Sequence, residues 1–169
     1  MDCQQAAKTA VLLGESWGFW IQTGAFFLSA LAGVLVIFHN GKQSRVRALI
    51  DLIVQQKMDV ELIDATRRVY ALRDNSGPLS THAEKDSQER KDILRVLNNQ
   101  EFIAVGVRLK AFDGAVYKQM QCTNVLRLWN VTRGFIHEIR QSDGKETIFQ
   151  DFEMLACRWE KDPIKKVKV

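Results

Sequence analysis

Cysteine is scarce in this chain, and catalytic signatures are missing from it. The three cysteines, Cys3, Cys122 and Cys157, form neither an even, regularly spaced set nor a CxxC pair. That pattern argues against a disulfide framework and a thiolate metal site, and Cys122 and Cys157 read as small core residues. No GxSxG, HExxH, phosphate-loop or paired-carboxylate pattern occurs, and neither His82 nor His137 has a companion at metal-ligand spacing. The expectation is therefore a non-enzymatic protein with no catalytic residue, no metal and no cofactor. Lys and Arg exceed Asp and Glu by 24 to 20, with the two signs interspersed. Aromatic residues fall on predicted core faces and not between clustered cations, so no nucleic-acid partner is expected.

Charge is also absent from one long stretch, and the chain is organised around it. From Trp17 to Phe38 only Gln22, Thr23 and Ser29 are polar. As a helix, 17–38 would be about 33 Å long, enough to cross a hydrocarbon core of about 30 Å. Residues 17–38 are thus predicted to be a transmembrane helix in contact with lipid, with Trp17 and Trp20 in an interfacial belt.

Lys42, Arg45 and Arg47 follow the span before the first acid, Asp51, whereas Lys8 alone precedes it, beside Asp2 and Glu15. The positive-inside rule then places residues 1–16 outside as a short extracytoplasmic N-terminus and the C-terminal side in the cytoplasm. Ala30-Leu31-Ala32 before Gly33 has the look of a signal-peptidase site. The leader, however, has no net positive charge, and the apolar run continues through Val34 to Phe38.

Within the span, Gly14, Gly18, Gln22, Ala25, Ser29 and Gly33 recur every three or four residues and share one helical face. Such a stripe lets two helices approach closely and form hydrogen bonds across the contact. It is the candidate transmembrane packing face. A pore would want an ionisable group at mid-depth, and there is none.

Beyond the span the chain reads as helices only. Residues 39–73 form a predicted helical stalk, bent near Met58 and Asp59. Its apolar positions Val46, Leu49, Ile53, Val60, Ile63 and Tyr70 are interrupted by Gln56 and Arg67. Asp74 to Asp86 is rich in turn formers and reads as a loop. A helical bundle domain is predicted over 84–162. Its first helix runs to about Phe112, with Ile93, Val96, Leu97, Phe102 and Leu109 apolar. The second covers Val116 to Gln141, and the third runs from about Glu146 to Trp159. Pro163 opens a basic tail, 163–169. The fold class is all-α: one N-terminal transmembrane helix, a long stalk and a small cytoplasmic bundle.

One polar position stands out. Glu101 lies four residues after Leu97 and four before Val105, on or beside the buried face. A carboxylate there must find a cation or hydrogen-bond donors. Arg108, two turns on, is one candidate, and a group from another helix is the alternative. Glu101 and Arg108 are the possible buried polar site, read as a core salt bridge or a hydrogen bond that pins a helix.

The run Glu101-Phe102-Ile103-Ala104-Val105-Gly106, then Phe112-Asp113, Trp129, Phe135-Ile136, Phe149, Phe152-Glu153, Leu155 and Arg158-Trp159 resembles bacterial and prophage proteins catalogued as a domain of unknown function. These proteins have an N-terminal span and a compact helical domain. The resemblance implies a bacterial inner-membrane setting, often near mobile elements, and carries no catalytic residue across. The expected function is a single-pass, membrane-anchored interaction or accessory subunit that binds a protein partner or forms a homo-oligomer. The alternative is a phage-defence or superinfection-exclusion component that perturbs the membrane on oligomerisation.

Overall fold

The uncharged run and the charged segment after it form a single α-helix, α1 (Trp17–Met58). The computed structural model describes residues 11–12, 15–83 and 86–164, and the chain divides into two units, Met1–Gln43 and Ser44–Val169. In the first unit, β1 (Val11–Leu12) and β2 (Glu15–Ser16) pair antiparallel, Val11 opposite Ser16 and Leu12 opposite Glu15. They lead into α1, whose apolar portion is long enough to cross a membrane and has none of its length buried.

The second unit takes the last turns of α1, where Leu49 and Ile53 are buried, and adds four helices. α1 stops where the bend was expected. Asp59 is extended, and its Oδ1 accepts the N–H of Leu62 at 2.9 Å, which caps α2 (Val60–Ser76). This break resets the phase of the buried face. A continuous stalk would bury Val60 and Ile63, which are instead 67% and 37% exposed, while Leu62, Ala65 and Val69 go into the core. Arg67 and Arg68 sit mid-helix because α2 runs on to Ser76.

A 3-10 turn, Leu79–His82, buries Leu79 and packs on α4. His82 is partly buried there, and its Nε2 is enclosed without a hydrogen-bond partner. Ser87 then caps α3 (Gln88–Arg108), its Oγ accepting the N–H of Arg90 at 3.0 Å. α3 ends four residues short of Phe112. The N–H groups of Ala111 and Phe112 both turn back to the carbonyl of Gly106, at 2.8 and 3.2 Å. The Phe112 ring then lies so close to Gly106 that a Cβ there would be 2.3 Å from Cδ2 and Cε2, so any other residue there must displace the ring. Phe102 and Leu109, predicted to be core, are 58% and 64% exposed.

Asp113 caps α4 (Gly114–Asp143) by accepting from Ala115 and Val116, both at 3.0 Å. Gly144, in the left-handed region at φ 63°, closes it. The last helix, α5 (Gln150–Lys161), starts later than Glu146 because Phe149 itself is left-handed, φ 56°. The core forms where α3, α4 and α5 meet, around Ile93, Leu97, Tyr117, Phe135 and Phe152. Trp129 stands edge-on to Phe152 at 5.7 Å, and Tyr117 is tilted against Trp159 at 5.5 Å. Cys122 is buried and Cys157 half-buried, both as free thiols.

Candidate functional site

α3 is the element on which the polar interactions converge. Near its start, Asp92 is 4% exposed. It receives Arg68 of α2 in a fork, Nε to Oδ2 at 2.5 Å and Nη2 to Oδ1 at 2.9 Å, with Gln88 Nε2 adding 3.3 Å. The Arg68 hydrogen bond holds the Asp92 carboxyl below its ordinary value, outweighing burial, which acts the other way. At the other end of α3 the polarity is reversed. Arg108 forks onto Asp151 of α5, Nε to Oδ1 at 2.5 Å and Nη2 to Oδ2 at 3.3 Å, and Asp151 is 5% exposed.

Between these ends, Glu101 accepts the N–H of Asp151 at 3.2 Å and of Phe152 at 2.7 Å. Those are the second and third residues of α5, the amides that a helix's own cap normally satisfies. Phe149, at the cap position, offers no such side chain, so α3 supplies the cap from outside. Glu101 and Arg108 therefore meet at the first turn of α5, each with its own partner there. The geometry is that of a pinned helix.

The motif residues also pair among themselves: Glu101 with Phe152, Gly106 with Phe112, and Trp129 with Phe152. Of the packing stripe, Gly14 lies outside the described residues. Gly18, Gln22, Ala25, Ser29 and Gly33 share one exposed face of α1. Ser29 Oγ donates to the carbonyl of Ala25 at 2.8 Å, so its hydroxyl is satisfied within its own helix. Arg127, Arg133 and Arg140 do not line a uniform flank. Arg127 lies over the Tyr70 ring at 4.5 Å, Arg140 holds the carbonyl of Ile148 at 2.9 Å and Glu153 at 2.7 Å, and Arg133 is exposed.

The sequence did not disclose a cleft of about 420 Å³ in the second unit, lined by the end of α1 and by α2, α3 and α4. Its floor is apolar, with Ile53, Leu62, Val96 and Leu128 buried beneath it. Its walls carry five carboxamides: Gln56, Asn99, Gln100, Gln121 and Asn124. Gln56 Nε2 donates to Asn99 Oδ1 at 3.0 Å, Tyr117 Oη to Gln100 Oε1 at 3.1 Å, and Asn124 Nδ2 to Gln121 Oε1 at 2.8 Å. Lys57 and Arg127 complete the rim. Two signals pointed here, Gln56 breaking the stalk pattern and Asn98-Asn99-Gln100 breaking that of α3. Only the fold shows that the two breaks face each other.

A family profile described as a domain of unknown function, DUF4760, matches residues 21–159. The chain belongs to the DUF4760 family. The match begins inside the apolar part of α1 and ends at Trp159 in α5, so the DUF4760 domain takes in most of the span candidate together with the polar contacts between α3 and α5. No curated protein and no solved structure matches the chain.

Proposed function

We propose that this chain is a membrane-anchored interaction or accessory subunit of the bacterial inner membrane. In this reading α1 crosses the bilayer, residues 1–16 face outward, and the helical unit works in the cytoplasm on a protein partner or a second copy of itself. The observation that carries it is the outward face of α1. Phe26, Phe27 and Phe38 are 68%, 75% and 74% exposed with no charged neighbour over 17–38. In water each ring would cost on the order of 2 kcal/mol relative to an apolar medium, and lipid removes that cost. The basic residues Lys42, Arg45 and Arg47 beyond the span support the orientation.

The test is fractionation of the expressed full-length chain, with alkaline carbonate extraction, together with C-terminal fusions to alkaline phosphatase and to green fluorescent protein. The expected result is a carbonate-resistant membrane protein whose phosphatase fusion is inactive and whose fluorescent fusion is bright. Release by carbonate, or an active phosphatase, would overturn the reading. The mass of whatever co-purifies in mild detergent then separates a hetero-complex from a homo-oligomer.

A further inference from the structure

We infer that the carboxamide-lined cleft is a binding site for a small organic anion, one carboxylate or phosphate group carried on an apolar body about the size of a ring. Three features point there together. The volume, about 420 Å³, falls within the range of small-molecule sites, roughly 300–1,000 Å³. The apolar floor beside a polar rim fits a ligand with one apolar and one charged end.

The rim itself is biased toward positive charge. The carboxamides of Asn99, Gln100 and Gln121 each accept a hydrogen bond from a neighbouring side chain and keep their own N–H groups as donors. Lys57 and Arg127 add positive charge, and none of the fourteen lining residues is Asp or Glu.

Several cations of the unit are paired with carboxylates: Arg68 with Asp92, Arg95 with Glu61, Arg108 with Asp151, Lys118 with Asp162 and Arg140 with Glu153. Among the described residues Lys57 and Arg127 have no carboxylate within ion-pair distance. Arg127 lies over the Tyr70 ring, 4.5 Å from its centroid, a contact that uses none of its N–H groups in an ion pair and leaves them for a two-oxygen anion. A carboxylate or phosphate at this edge would complete the same fork that Asp92 and Asp151 complete for Arg68 and Arg108.

The test uses the full-length protein in mild detergent. Phenyl phosphate and benzoate are titrated by calorimetry, with benzamide as the uncharged control. At least one of the anions binds saturably, one per chain and at least about tenfold tighter than benzamide. The tighter of the two identifies the headgroup. R127Q and K57Q alter exposed side chains on different helices, and each weakens that anion by about tenfold or more while leaving helix content unchanged. Absence of saturable binding by either anion overturns the proposal. So does benzamide binding as tightly as the anions, or anion binding that both variants leave intact.

Discussion

The carboxylate of Glu101 accepts the backbone N–H of Phe152 at 2.7 Å across fifty-one positions of the chain. Its other oxygen takes Asp151 at 3.2 Å. Removing it strips α5 of its cap and of a negative charge at the positive end of the helix. Glu101→Ala is expected to lower stability by about 1–2 kcal/mol, and Glu101→Gln by less, because the amide keeps one acceptor oxygen. Urea unfolding of the full-length protein in detergent reads the difference. Equal losses in both variants would mean that the ionised carboxylate itself, which glutamine lacks, carries the effect, and no loss in either would mean that Glu101 does not cap α5.

Asp92 gives the fold a pH limit on the acid side. Its folded value is held below the ordinary 3.8 by Arg68. The stability it contributes is therefore complete above that value and lost as pH falls through the lowered folded one. Arg68→Leu leaves a buried carboxylate without its cation, so acid unfolding starts at a higher pH than in the parent. Far-UV circular dichroism from about pH 7 to about pH 2 checks the direction, and coincident transitions would show that the fork does not stabilise the fold.

Gly106→Ala should destabilise although alanine is the better helix former by about 1 kcal/mol. The new Cβ would lie 2.3 Å from two carbons of the Phe112 ring, and displacing that ring from its seat costs about 1–3 kcal/mol. Phe112→Ala combined with Gly106→Ala should then be less destabilised than the sum of the two single variants. A double-mutant cycle of unfolding free energies measures that coupling.

The stripe on α1 makes a prediction of a different kind. If Gly18, Ala25 and Gly33 seat a second copy, then Gly18→Leu with Ser29→Leu fills the seam and shifts the full-length protein in detergent toward monomer. The comparison is the mass of the protein–detergent complex for parent and variant. An oligomer that survives both leucines must be held by the helical unit instead.

How much of this was legible in the sequence differs between elements, for physical reasons. The long apolar helix was legible because its length and apolarity lie in one contiguous segment, and the 58–59 break showed because Asp59 is a cap as well as a polar interruption. The caps at Ser87 and Asp113 are local chemistry, readable three residues at a time. Val60 and Ile63 were misplaced because a break resets helical phase by an angle that spacing does not contain. The start of α5 was placed early since Phe149, an apolar residue, adopts a left-handed conformation that its type disfavours. Glu101 could be recognised as needing a partner, but its partners are backbone amides fifty and fifty-one residues away. The cleft was invisible for the same reason, since its walls come from four helices.

The borrowed cap on α5 has a consequence for how the chain is made. A helix of twelve residues is marginal by itself in water, so α5 has little reason to persist until α3 is there to receive it. Glu101 leaves the ribosome fifty-one residues ahead of Phe152. At about 5–20 residues per second, that is a wait of roughly 3–10 seconds. Later in that interval, once Tyr117 and Trp129 have been made, they lack the Trp159 and Phe152 rings that will cover them. The nascent chain thus passes through a stage with an open aromatic seam, which is when a chaperone would find a hold on it and when two such chains could exchange their last helices.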